Sequence, residues 1–208
     1  MREQDAKDFL KSSLDFSDID IEKLEIFRKH LLEYNKKYNL ISKNTEDTIW
    51  NRHILDSAQL LRFIDTRDSL FLADFGTGAG FPGLIISIFN KNTKFHVKLY
   101  EKSPVKREFL NIIKKKLDLS LEIDENVYKQ LITADILVIR AFKKIDEIIK
   151  ISRENVRKPH KIIILKGKNA QKEINNVSLE SNYSYKIESS ITDNDSKIII
   201  INAKKNEP

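Results

Sequence analysis

Four of the five glycines in this chain fall within eight residues: Gly76, Gly78, Gly80 and Gly83. A sequence so sparing of glycine places it where the backbone takes positive φ or lies close against something. The segment Ala73-Asp74-Phe75-Gly76-Thr77-Gly78-Ala79-Gly80-Phe81-Pro82-Gly83 follows an apolar run that reads as a buried strand. It opens a run that reads as a helix, with Pro82 suited to the first turn. Strand, glycine loop and helix in that order signal a nucleotide site, and commit this part of the chain to an α/β fold.

The rest of the pattern agrees. Short apolar runs recur at 70–75, 95–100, 119–123, 135–139 and 161–165, separated by helical stretches at 82–90, 103–117, around 126–132, 143–155 and 168–177. Strands alternating with crossovers of that length form βαβ units and a parallel sheet. Two further strands, about 183–190 and 197–203, are joined by a turn at 192–196 too short for a parallel crossover, so they pair antiparallel. The expected fold is a doubly wound, Rossmann-like and mostly parallel α/β sheet with a terminal antiparallel hairpin.

Residues 1–67 read differently. Leu24, Phe27, Leu31, Tyr34 and Tyr38 recur at helical spacing, and Thr45 suits the N-cap of a next helix in which Ile49, His53, Asp56 and Leu60 share a face. No linker or repeat separates the two parts. The expected organisation is a helical extension, residues 1–67, packed on an α/β domain, residues 68–208.

Composition removes several chemistries. The 208 residues include no cysteine, which excludes disulfides, thiolate metal sites and a cysteine nucleophile; four scattered histidines suggest no metal site. The N-terminus lacks the apolar core of a signal peptide, and no apolar run is long enough to span a bilayer. A soluble, cytoplasmic protein is expected. The net charge of +6 is unevenly placed. Residues 141–172 carry ten basic side chains against three acidic, and residues 102–116 carry six against one. Such patches suit a polyanion, RNA or DNA ahead of a membrane surface, although a lysine-rich composition from genome nucleotide bias would look alike.

Two cofactors compete for the glycine loop. Read from Gly78 the spacing is G-x-G-x-x-G, with Glu101 near the right distance for a ribose hydroxyl, as in NAD sites. Read from Gly76 it is D-x-G-x-G, with Asp74 at the strand's end. A pyrophosphate on the helix N-terminus would be repelled by that acid. S-adenosylmethionine, with a sulfonium, an ammonium and a ribose, suits the acids Asp74 and Glu101 better. Arg140 ends an apolar strand at the same edge, and Lys102, Lys106 and Arg107 lie beside it. His53 and Asp56, next to Arg52 and Ser57, allow two readings: a buried network joining helix to core, or contact with substrate.

Six segments carry a resemblance: Tyr38-Asn39-Leu40, Arg52-His53-Ile54-Leu55-Asp56-Ser57, Asp74 to Gly83, Lys106-Arg107-x-Phe109-Leu110, Arg140-Ala141-Phe142 and Leu165-Lys166-Gly167. In this order and spacing, over about residues 20–200, they closely resemble the bacterial small-subunit (16S) ribosomal RNA guanine-N7 methyltransferases, formerly called glucose-inhibited division protein B. The resemblance implies a class I methyltransferase fold, S-adenosylmethionine as methyl donor, and guanine N7 of 16S rRNA, free or in an assembling small subunit, as acceptor. It also implies a cofactor pocket lined by Gly76, Phe81, Val127, Tyr128 and Arg140, to which the residue reading adds Asp74, Gly78, Gly80 and Glu101. Candidate RNA contacts are Arg52, Lys102, Lys106, Arg107 and Lys166. No metal is expected, and the protein is expected to be a monomer.

The residue inventory suits N7 chemistry independently. Guanine N7 has an in-plane lone pair and no proton to lose, so it needs no general base. Methyltransferases acting on exocyclic amines resemble one another in a proline-bracketed motif after the fourth strand; Val138-Ile139-Arg140-Ala141-Phe142 has no proline. Pyrimidine carbon-5 methyltransferases use a cysteine. The alternatives are an NAD-dependent oxidoreductase and a non-catalytic RNA-binding protein on the same fold.

Overall fold

Sheet order follows from which strands can be buried on both faces. A computed structural model of the chain describes residues 1–129, 131–177, 179 and 181–204. Its strands are β1 (Phe71–Phe75), β2 (His96–Tyr100), β3 (Glu122–Asp124), β4 (Ile136–Arg140), β5 (His160–Lys166), β6 (Tyr183–Ser189) and β7 (Lys197–Ala203). They form one sheet in the order β3-β2-β1-β4-β5-β7-β6. Strands β1 to β5 pair in parallel, and β7 runs antiparallel to both β5 and β6. The expected terminal hairpin is there, with its second strand on the inside. Ile198 to Ile201 are all buried and need neighbours on both sides, whereas β6 alternates polar residues that tolerate an edge.

Side chains alternate between two cores. On one face Leu72, Leu99, Ile136 and Val138 join Leu24, Phe27 and Leu31 of α2 (Asp18–Tyr38), together with α4 (Gly83–Phe89) and α5 (Pro104–Lys116). On the other, Ala73, Phe75, Leu137 and Ile139 pack under α6 (Ile145–Asn155) and α7 (Ala170–Asn175). Helix α1 (Glu3–Leu14) adds Ala6 and Leu10 to the first core. Helix α2 begins at a capping box: Ser17 Oγ accepts from the Asp20 amide, and Asp20 accepts from the Ser17 amide. Phe27 meets the glycine loop through Phe81, ring centroids 5.5 Å apart.

Two expectations change. The single helix expected after Thr45 is a relay: a 3-10 turn at Lys43–Thr48, a π-helical stretch at Trp50–Leu55, one α turn, α3 (Asp56–Ala58), and a 3-10 turn at Gln59–Phe63. Ser42, not Thr45, precedes the first turn. The wider π turn buries Trp50, His53, Ile54 and Leu55 together, which one helical face of ordinary pitch would not do. The helix expected around 126–132 is a single 3-10 turn at Val127–Lys129. From edge strand β3 the chain must pass two strands to reach β4, about 14 Å sideways, and return a strand's length. A seven-residue helix advances only about 10 Å.

Among the described residues no helix is long and apolar enough to cross a membrane.

Candidate active site

The glycine loop is folded by its own amides. Gly76 and Thr77 donate to the Tyr100 carbonyl at 2.9 and 3.0 Å, and Gly80 and Phe81 donate to Thr77 O. This turns the loop over the ends of β1 and β2. Gly78 has φ +61°, and a Cβ there would meet nothing within 4 Å, so its bare side opens on free space. Gly83 has the opposite surroundings. A Cβ would lie 2.4 Å from Leu99 Cδ2 and 2.8 Å from Asp74 Cβ, so only glycine lets α4 start against the strand.

Asp74 is fully buried, and its Oδ2 accepts from the Gly83 amide at 2.7 Å. Burial pushes its carboxyl up to about 7, against the pull of the nearby Thr77 hydroxyl and the Gly83 amide. Oδ1 and Thr77 Oγ1 are buried without a hydrogen bond to each other or to any described group. This corrects the expectation for Asp74, which lies behind the loop and holds it to α4. Gly80 also points away, toward Leu84 and Leu110.

Beyond the loop a cavity of about 370 Å³ opens at the carboxyl ends of β1, β2 and β4. Of the residues expected at a cofactor site, Gly76, Gly78, Phe81, Glu101, Val127, Tyr128 and Arg140 line it. Glu101 receives the Gly78 amide on Oε2 at 2.9 Å and the Ser103 amide on Oε1 at 2.8 Å. Sequence reading missed Leu40, Ile41 and Glu125 in the wall. Asn39, in the left-handed conformation, turns the chain after α2 and brings Leu40 and Ile41 in. An acid directly after β3, matching Glu101 directly after β2, was the available signal for Glu125. The lining fits S-adenosylmethionine: two carboxylates for cationic and hydroxyl groups, and Leu40, Ile41, Phe81 and Val127 for an apolar ring. It fits a pyrophosphate poorly, because the first amide of α4 is already bonded to Asp74.

Arg140 closes the cavity floor. Its Nη2 donates to Arg52 O at 3.0 Å and lies 2.6 Å from His53 Nδ1. A guanidinium can only donate, so Nδ1 accepts and the ring proton sits on Nε2. Nε2 donates to Thr45 Oγ1 at 2.8 Å, and that hydroxyl donates to Ser42 O at 2.8 Å. Phe81 stacks on the His53 ring at 5.0 Å, and Arg140 lies over Phe81 at 5.4 Å. Burial, then the charges of Arg140 and Arg52, lower the His53 pKa to about 3. Asp56 joins from the other side, its Oδ2 3.6 Å from Arg140 Nε and its Oδ1 accepting from Thr192 Oγ1 at 2.7 Å. Burial raises the Asp56 carboxyl, while Arg140 and Thr192 pull it back. His53 and Asp56 both join a network anchored on Arg140.

The family model of rRNA small subunit methyltransferase G matches residues 20–200. The chain belongs to that family. It is 39% identical over 180 residues to ribosomal RNA small subunit methyltransferase G of Rickettsia akari, an alignment covering 86% of this chain and 92% of the relative. The same-named protein of Pelagibacter ubique is 35% identical over 187 residues, covering 87% and 86%. In fold the chain is similar to a solved SAM-dependent methyltransferase from Aquifex aeolicus, with a TM-score of 0.52 and 15% identity, covering 71% of this chain and 88% of that one.

In this member of the methyltransferase G family the basic candidates separate into two groups. Arg107 Nη1 donates to the carbonyls of Glu101 and Lys102 at 2.8 and 2.7 Å, closing the turn into α5. Lys166 Nζ bonds Lys143 O and Glu173 Oε2, both at 2.7 Å. Both cations hold the fold. Arg52 pairs with Asp193 at 2.7 Å yet stays half-exposed. Lys102 is exposed, Lys106 lines the cavity, and among the described residues neither side chain has an ion pair.

Proposed function

We propose that this chain transfers a methyl group from S-adenosylmethionine to N7 of a guanine in small-subunit ribosomal RNA, as a monomer in the cytoplasm. Family membership supports the class of reaction and substrate. One observation carries the choice of N7: His53, the histidine lining the cavity, is neutral and its one lone pair already accepts from Arg140. Such a group takes no proton from an acceptor, which suits guanine N7, an acceptor with no proton to lose.

When bound, the cofactor supplies an electrophilic methyl group on a sulfonium. The chain's own part is positioning. Glu101 offers a carboxylate to hydroxyl or ammonium donors at the end of β2, and Gly78 leaves room beside it. Phe81, fixed between Phe27 and His53, presents an apolar wall that excludes water. Arg140, held by two carbonyls and an imidazole, keeps its place without an ordering cost during reaction.

The dehydrogenase reading has less behind it. Its usual sheet is parallel with sixth strand outermost, whereas here antiparallel β7 lies between β5 and β6. The test is transfer of tritiated methyl to 16S rRNA from cells lacking the gene, followed by borohydride reduction and aniline scission, which cleave at N7-methylguanosine. Label without scission refutes N7. No label under saturating cofactor supports the non-catalytic alternative.

A further inference from the structure

Beside the cofactor cavity lies a second one of about 240 Å³, and Arg140 and Ala141 line both. Three parts of the chain meet around it: Arg52 and Asp56 from the helical relay, Lys166 and Gly167 at the end of β5, and Thr192 in the β6–β7 turn. Nothing in the cofactor chemistry uses this space.

The Asp56 carboxylate has one engaged oxygen and one that is not. Oδ1 accepts from Thr192 Oγ1 at 2.7 Å and from Gln59 Nε2 at 2.9 Å. Gln59 is itself fixed by the Ser190 hydroxyl and the Ile191 amide, so the carboxylate is oriented from behind by two elements. Oδ2 has only Arg140 Nε at 3.6 Å, an ion pair beyond hydrogen-bond length, and among the described residues no donor bonds it. A preset acceptor therefore lines a chamber that adjoins the methyl-donor site.

The geometry points to this chamber as the seat of the unstacked acceptor base, with Asp56 recognising guanine through its N1–H and N2 amino edge. The inference rests on the rRNA methylation proposed above. Bases that undergo chemistry leave the stack for a pocket and are read on the Watson–Crick edge. Guanine alone among the four RNA bases presents two adjacent donors there, the match for a carboxylate. Adenine and cytosine present a lone pair, which a carboxylate repels. Gripping guanine by this edge leaves N7, on the far side of the purine, unencumbered. Half-exposed Arg52 at the rim suits the neighbouring phosphates.

The test pairs Asp56→Asn with inosine, which is guanosine without the 2-amino group. The asparagine keeps an oxygen for Thr192 and Gln59 and replaces only the other acceptor with a donor. Single-turnover methylation is measured on 16S rRNA carrying guanosine or inosine at the mapped nucleotide, with S-adenosylmethionine affinity followed by calorimetry. Wild type should lose about tenfold in kcat/KM on inosine, and Asp56→Asn about 100-fold on guanosine, the scale of hydrogen bonds to a charged group. Cofactor Kd should stay within about twofold, and the variant should lose nothing further on inosine, because the two changes remove one interaction. Equal inosine losses in both proteins would make Asp56 a prop of the fold and overturn the inference. Wild type indifferent to inosine would overturn it too, even if the variant fails to fold. Failure of wild type to methylate guanosine at all would instead refute the rRNA reading itself.

Discussion

The guanidinium of Arg140 lies 2.6 Å from His53 Nδ1 and fixes the histidine as an acceptor. Strand β4 thereby reaches across to the helical relay, since the same guanidinium bonds the carbonyls of Arg52 and His53. The following residue, Ala141, holds φ at 49°, a setting L-residues rarely adopt. The chain is held in this unusual turn where both cavities meet.

Glycine substitutions should separate binding from folding. Gly78→Val adds a side chain into open space at positive φ, so the fold should survive with a loss of about 1–2 kcal/mol. Calorimetry should then find S-adenosylmethionine binding abolished. Gly83→Ala places its methyl against Leu99 and Asp74 and should lower the Tm far more. Unchanged cofactor affinity in Gly78→Val would mean the cavity has been misassigned.

Asp74 and His53 should pull the pH dependence of stability in opposite directions. Asp74 is raised to about 7 when folded, so the native state holds an extra proton between about pH 4 and 7, and stability falls as pH rises through that window. His53 is lowered to about 3, so the unfolded state holds the extra proton between about pH 3 and 6.5, and stability rises with pH there. Asp74→Asn keeps an oxygen for the Gly83 amide and offers a donor toward the unpartnered Thr77 hydroxyl. Denaturant unfolding should show the variant gaining on wild type, by a few kcal/mol in all, as pH rises from about 4 to 8. A constant difference across that range would show that Asp74 ionises normally.

The sequence made the sheet and the cavity legible because both rest on local patterns: short apolar runs, a glycine loop, an acid after β2. What it hid was pairing. Asp74 is as acidic on paper as Glu101, yet the Gly83 amide draws it behind the loop while Glu101 lines the cavity. Arg107 and Lys166 carry the right charge for RNA, but carbonyls and Glu173 across the fold engage them. The π-helical stretch escaped because no residue pattern marks a turn widened by tertiary packing.

That sorting predicts the salt response of RNA binding. Lys102→Ala and Lys106→Ala should each reduce the slope of log affinity against log salt by a little under one unit. Lys166→Ala should leave the slope alone and lower the Tm, since it removes the tie to Glu173. Filter binding between about 50 and 200 mM salt measures this. A slope unmoved by either lysine would place the RNA on another face.

The rate of methyl transfer should not report a titrating base near neutrality. His53 is neutral throughout, its Nδ1 lone pair faces Arg140, its Nε2–H faces Thr45, and Phe81 covers the ring. Asp74 does titrate near pH 7, but it sits behind the loop on the Gly83 amide, so saturating cofactor keeps it out of the measurement. Single-turnover kcat should therefore be flat from about pH 6.5 to 8.5, a range that starts at the ordinary pKa of histidine. His53→Ala should lower kcat about tenfold or more, because Arg140 loses its acceptor and Phe81 its stacking partner, and the profile should stay flat. His53→Gln, whose amide oxygen can still accept from Arg140, should recover much of that loss. A positioning residue is rescued by a neutral acceptor; a proton-transfer residue is not. An inflection near neutrality that disappears in both variants would make His53 a base, and would point to an acceptor that must lose a proton rather than to guanine N7.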